Sequence, residues 1–340
     1  MKAAIIEKIN TLRVKDIPEP PVGEYDAFCD ILYGAVCTGT DQHLIDGTCP
    51  FLSPLPAVLG HESIGQVVEI GRKVRYLKPG DLVTRVGTVP VDGYSVSWGG
   101  FAEKGIASDW RAMQEDGIPR DNWEESRRNI VLPGDIDPAA ATMIVTWRET
   151  MSYITRMGIG KDARVLVIGS GGNGLSFVAH AANLGAAQIA MIGALNREPH
   201  ARRAGATHYF DYRNQNIFQT VEKTCGSLFD FAIDAVGKIG LADLGLRLLK
   251  ANGTIGIYGI DDYGKCILNP QHARGSFEFY NNGYDEPEVH ERVVALMQSG
   301  KLDASIWLNL ENPFPLENIN EAFEALRARQ AVKALIKVKQ

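Results

Sequence analysis

The chain has 340 residues, 45% hydrophobic and 22% charged, enough to bury two cores of ordinary domain size. Its formal net charge of -6, with 35 Lys and Arg against 41 Asp and Glu and no block of like charges, argues against a nucleic-acid arm or polyphosphate surface. The N-terminus lacks a secretory pattern and no apolar run approaches the ~20 residues of a membrane span, so a cytoplasmic protein without nucleic-acid or membrane partners is expected.

Residues 1 to about 110 alternate short apolar runs such as Ala3-Ala-Ile-Ile with turn-rich stretches such as Lys78-Pro-Gly-Asp81, the texture of a β-rich, loop-rich domain. The five cysteines (Cys29, Cys37, Cys49, Cys225, Cys266) are scattered without a C-x-x-C pair, so reduced thiols are expected, with Cys29, Cys225 and Cys266 as small buried apolar groups. Cys37 has more informative neighbours. Thr40, Asp41 and His43 follow it, a group able to pass a hydroxyl proton to solvent, with Asp41 as an orienting acceptor. Gly60-His61-Glu62 comes next, so that Cys37, His61 and Glu62 offer a thiolate, an imidazole and a carboxylate, suited to one zinc ion with an open position.

The polar stretch Asp109 to Arg128 reads as a surface insertion, and the aromatic residues nearby, including Trp98 and Trp110, are candidates for core packing or for lining a substrate cleft. Asp137-Pro138 opens a helix with an N-cap and a proline at its first position. From Arg164 the apolar runs Val165–Ile168, Gln188–Ile192, Phe231–Asp234 and Thr254–Tyr258 alternate with helical patterns and have no polar face, as a parallel sheet covered on both sides requires. The first run leads into Gly169-Ser-Gly171-Gly172-Asn173-Gly174 and then an alanine-rich helix. In that context Gly169 makes the tight turn, Gly171 lets a pyrophosphate approach the backbone, and Gly174 lets helix and strand pack closely. The second run ends at Gly193, where an acid would repel a 2'-phosphate. Its absence, with Asn196 and Arg197 just beyond, favours NADP over NAD, the bland alternative for Arg197 being a solvated loop charge. Helices from Glu288 to Gln298 and from about Leu316 to Arg329, then a strand from Val332 to Val338, end the chain.

The order of these motifs, together with Pro56-Ala-Val-Leu-Gly-His-Glu, Leu77-Lys-Pro-Gly-Asp-Leu-Val83, Asp234-Ala-Val-Gly237 and the terminal Lys333-Ala-Leu-Ile-Lys-Val, resembles the medium-chain zinc-dependent alcohol and polyol dehydrogenase family from end to end. The resemblance implies an α/β protein: a chaperonin-10-like β-rich catalytic domain from residues 1–150 and 289–340, and a Rossmann doubly wound parallel sheet from residues 151–288. It also implies a cleft for substrate and nicotinamide, a homodimer or homotetramer, and Thr150 and Val236 at the cofactor. Three departures stand out. The cysteine lobe for a second, structural zinc is missing. The family's C-x-T-D appears as Cys37-Thr38-Gly39-Thr40-Asp41, one residue longer. At the family's fourth-ligand position stands Val145, with Glu149 one helical turn on as a ligand or water-mediated partner.

The expected reaction is hydride transfer between NAD(P) and a secondary alcohol or hemiacetal carbon of a sugar, polyol or cyclitol, with one zinc ion polarising the substrate oxygen. A zinc-free quinone or enone reductase of the same superfamily and a non-catalytic nucleotide-binding protein are the alternatives.

Overall fold

The computed structural model describes residues 1–339 and divides into two compact units, Met1–Val145 with Trp307–Gln340 and Thr146–Ile306. The first boundary falls five residues before the expected 150 and the second falls well beyond 289, because the helix after Pro287 belongs to the second unit.

The first unit begins with β1 (Lys2–Lys8), β2 (Thr11–Asp16), β3 (Asp26–Val36), α1 (Thr38–Asp46), β4 (Ala57–Val58), β5 (Glu62–Ile70), β6 (Leu82–Thr84), β7 (Ser95–Val96) and β8 (Lys104–Ser108). β1 pairs with β2 and β4 in a small sheet, whereas the long β3 is the axis of a second, antiparallel to β5 and β8. The alternation seen in the sequence is the alternation of burial: Ala27, Cys29 and Ile31 of β3 pack with Leu59, Val67, Val83 and Phe101 in one core. Asp30, on the opposite face, receives the ammonium groups of Lys104 and Lys339, tying β8 and the chain's end to β3.

The stretch from Asp109 to Arg128 is anchored rather than a loose insertion. It holds α2 (Trp110–Glu115), Asp109 caps that helix at the Ala112 N–H, and the Trp110 ring stacks 6.0 Å from Trp123, so packing is the role the structure gives Trp110. Asp137 caps α3 (Pro138–Ala141) at the Ala139 N–H (2.8 Å), and α4 (Met143–Arg156) carries the chain into the second unit.

That unit alternates β9 (Arg164–Ile168), α5 (Gly172–Asn183), β10 (Gln188–Gly193), α6 (Glu198–Ala204), β11 (His208–Asp211), α7 (Ile217–Cys225), β12 (Phe229–Asp234), α8 (Leu241–Leu248), β13 (Leu249–Ile257) and β14 (Glu278–Tyr280), then α9 (His290–Gln298). All six strands are parallel in the order β11-β10-β9-β12-β13-β14, the doubly wound arrangement whose strand order reverses between β9 and β12. The apolar runs fall in β9, β10, β12 and β13. β11 and β14 were not visible as runs, being short edge strands with polar residues. The chain then returns to the first unit, where β15 (Phe314–Pro315), α10 (Ile319–Arg327) and β16 (Ala334–Lys337) add to the β3 sheet.

Cys29, Cys37, Cys49 and Cys225 are buried free thiols, but Cys266, expected buried, is exposed in the loop before β14. Within the second unit the fully buried Arg148 of α4 pairs with Glu286 at 2.8 Å, and its Nη1 lies 3.4 Å from His290 Nδ1. Burial, followed by the Arg148 charge, pushes the His290 pKa down to about 4, so this imidazole adds no second cation. Breaking a dry ion pair strands the surviving charge. Arg148→Met and Glu286→Leu are each expected to cost about 3–5 kcal/mol in denaturant unfolding and the double variant much less; additive losses would show that the pair is not the cause.

Candidate functional site

The departure at Cys37 resolves as a helical turn. Cys37 follows β3 in an extended conformation (φ -88°, ψ 107°) and stands at the N-cap of α1, so Thr40 and Asp41 fall at i+3 and i+4 on its side of the helix. Asp41 Oδ2 accepts the Cys37 backbone N–H at 2.8 Å, while the Asp41 N–H donates to the Cys37 carbonyl at 2.9 Å. The extra residue closes a reciprocal turn. Thr40 Oγ1 lies 3.7 Å from the Cys37 sulfur.

His61 and Glu62 are set by Gly60 and β5. Gly60 has φ +111°, and a Cβ there would meet the backbone nitrogen and ring of Phe101, so no other residue fits the step that turns His61 inward. The His61 Nδ1–H donates to the second Asp41 oxygen at 3.1 Å. Because a carboxylate accepts only, this bond fixes the tautomer and leaves Nε2 facing Glu62 Oε1 at 3.6 Å. The Cys37, His61 and Glu62 ligand atoms all lie within 4.8 Å of one another. The Trp98 ring sits 5.4 Å from the imidazole.

Glu62 is 1% exposed, and Lys333, 3% exposed, approaches its two oxygens at 2.7 and 2.5 Å. Sequence reasoning missed Lys333. The available signal was a lysine inside Val332–Ile336, a run in which every other residue is apolar and buried. Burial, the largest influence, lowers the Lys333 pKa, but Glu62, Cys37 and Asp41 outweigh it and hold the ammonium above its usual 10.5. For His61, too, burial is the largest influence and lowers the pKa. Asp41 and Cys37 reverse it, and the metal-free imidazole lies well above 6.5. His43 lies further along α1, its Nδ1 2.6 Å from Thr48 Oγ1. Glu149 lies in the second unit, where its carboxylate accepts from the Tyr258 hydroxyl at 2.9 Å.

In the second unit the glycine run has the space its spacing implied. Gly169 has φ +110°, and a Cβ there would strike Val236; a Cβ on Gly174 would collide with the Gly169 carbonyl; one on Gly171 would meet nothing within 4 Å. Tight turn, close helix–strand packing and open room for phosphate are therefore all present, with Gly172 and Asn173 in the first turn of α5, whose N-cap, Gly171, carries no side chain to compete for the helix N-terminus. At Gly193 a Cβ would collide with Ser170 and with the Tyr209 hydroxyl, so no acid fits there. Ser170 Oγ accepts the Ala194 N–H at 3.0 Å and Tyr209 donates to the Ala194 carbonyl at 2.5 Å, locking the strand end. Asn196 and Arg197 form a 3-10 turn beyond it, and Arg197, 8% exposed, is not the solvated loop charge held as the alternative. The Thr150 hydroxyl donates to the Thr146 carbonyl at 2.7 Å and lies 3.0 Å from His180 Nε2; burial, the largest cause, takes the His180 pKa down to about 3, so that imidazole is neutral.

Residues 23–117 match the alcohol dehydrogenase GroES-like domain and residues 172–304 the zinc-binding dehydrogenase family. The chain is similar to an L-galactonate-5-dehydrogenase of Escherichia coli (strain K12), 27% identical over 95% of this chain and 94% of the relative. It is also similar to a sorbitol dehydrogenase of Halalkalibacterium halodurans, 26% identical over 99% of both chains. Among solved structures, an alcohol dehydrogenase of Thermus sp. ATN1 shares the fold with a TM-score of 0.82, at 23% identity over 100% of both chains. The chain therefore belongs to the medium-chain, zinc-dependent alcohol and polyol dehydrogenase family and is an NAD(P)-dependent dehydrogenase.

Proposed function

We propose that the protein oxidises, reversibly, a secondary alcohol or hemiacetal carbon of a sugar, polyol or cyclitol with NADP as the preferred cofactor, as a cytoplasmic homodimer or homotetramer. The observation that carries this reading is the buried convergence of one thiol, one imidazole and one carboxylate, the donor set of a catalytic zinc with three protein ligands. Relatives named for sorbitol and L-galactonate, both polyhydroxylated, support the substrate class.

Cys37, His61 and Glu62 would hold the zinc, which when bound supplies Lewis acidity at the substrate oxygen. Asp41 would keep His61 Nε2 directed at the ion by holding Nδ1–H, and would brace the Cys37 backbone at the same time. Thr40, beside the sulfur, would take the substrate hydroxyl proton into its own hydroxyl hydrogen bond, and His43 would return it to solvent. In the other unit the backbone around Gly171 would receive the pyrophosphate, and Asn196 and Arg197 the 2'-phosphate.

The deciding experiment combines zinc analysis with a spectrophotometric screen of sugars and polyols against NADP and NAD. Stoichiometric zinc that disappears with activity in Cys37→Ser is expected, and full activity after exhaustive chelation would overturn the reading. Asp41→Asn is expected to weaken zinc by about 10–100-fold in a chelator competition, through misdirection of His61. Arg197→Gln is expected to raise the NADP Kd by roughly tenfold and leave NAD unchanged; equal changes for both would remove Arg197 from the phosphate site.

A further inference from the structure

α1 ends in a turn that folds back on the helix. Gly47, its C-cap, has φ +76°, the left-handed conformation that favours glycine. Beyond it the His43 carbonyl accepts two backbone N–H groups, that of Thr48 at 3.0 Å and that of Cys49 at 2.9 Å. These bonds bring Thr48 back beside the His43 ring, where its Oγ1 lies 2.6 Å from Nδ1.

The hydroxyl has a second neighbour, and it decides which atom donates. Thr48 Oγ1 lies 2.5 Å from Asp46 Oδ1, an oxygen that also accepts the Thr48 backbone N–H at 3.0 Å. Two oxygens that close share a hydrogen. Asp46 keeps 31% of its side chain in water. An acid in water is a carboxylate at neutral pH, and a carboxylate accepts only. The Thr48 hydroxyl proton therefore goes to Asp46, and its oxygen can meet His43 only as an acceptor. Asp46 Oδ1 is itself 4.0 Å from Nδ1, too far for a direct bond, so the hydroxyl is the link. Thr48 has one hydroxyl proton whatever else the imidazole touches, so Nδ1 is the donor.

A neutral imidazole carries one N–H. With that hydrogen at Nδ1 the basic lone pair is at Nε2, on the opposite side of the ring from Thr48. In the other tautomer Nε2 would be a donor and could take no proton. We propose that Thr48, oriented by Asp46, is a positioning residue for proton transfer: it holds neutral His43 in the Nδ1–H tautomer, which makes Nε2 the atom that receives the substrate's proton. The proposal rests on the dehydrogenase reading above and deepens it at His43.

The test is a long-range 1H–15N correlation spectrum of the full-length, zinc-loaded protein labelled with 15N-histidine, at about pH 8.5, above the ordinary histidine range. His43→Gln identifies the His43 signals among those of the 7 histidines. Wild-type protein is expected to show a protonated Nδ1 and an unprotonated Nε2. Thr48→Val keeps the shape of the side chain and removes the hydroxyl. It is expected to move the hydrogen to Nε2 and to lower kcat, on the best substrate of the sugar and polyol screen, by roughly tenfold with the Kd for NADP unchanged. Thr48→Ser should restore both the tautomer and the rate. Serine lacks the methyl that valine keeps, so the pair separates hydrogen bonding from packing. A wild-type Nε2–H tautomer, an unchanged tautomer in Thr48→Val, or a serine variant as slow as the valine one each overturns the proposal. An unchanged kcat in His43→Gln would instead overturn the reading of His43 as a proton carrier, and the proposal with it.

Discussion

Asp41 is the constraint on which the metal site depends. One of its oxygens accepts the backbone N–H of Cys37 and the other accepts the Nδ1–H of His61, so a single fully buried carboxylate joins the end of β3 to the start of β5. A carboxylate out of water is stable only when its lone pairs are satisfied, and here satisfying them dictates where two candidate ligands stand. The four-residue spacing from Cys37 to Asp41 makes this possible. In a loop the extra residue would push the acid away; in the first turn of α1 it brings the acid back onto the residue that caps the helix.

The nucleotide unit is controlled by excluded space rather than by charge. Three glycines of the run answer three different demands, and a fourth, Gly193, is forced by Ser170 and Tyr209 beneath the strand end. Cofactor choice at this position is usually a matter of which side chain is present, but here the packing admits none, and the nearest side chains are those of the 3-10 turn beyond.

The sheet strands that are buried on both faces were legible as apolar runs, and the glycine run was legible because strand, spacing and helix agreed. Edge strands β11 and β14 were not, since one exposed side admits polar residues and removes the signal. At the site, Cys37, His61 and Glu62 could be named from donor chemistry and motif order. Lys333 and Tyr258 could not, because each acts on a residue far away in sequence and neither belongs to a donor pattern. The helix after Pro287 looks the same in either unit; in the structure the segment leading into it is tied to α4 by the buried Glu286–Arg148 pair and by Glu288 with Ser152 and Arg156.

Lys333 completes the charge account of the metal site. With Cys37 as thiolate and Asp41 and Glu62 as carboxylates, the buried side chains carry three negative charges, and Lys333 supplies one positive. Neutrality then requires two more positive charges in a region with almost no water to screen the imbalance. A divalent cation meets that requirement only if His61 is neutral, which is also the form an imidazole must take to coordinate it. Without the ion a proton on His61 offsets one unit of that surplus, in keeping with a pKa that burial lowers but that Asp41 and Cys37 raise further. The ammonium thus does more than anchor Glu62: by removing one unit of charge it makes the pocket's demand that of a dication.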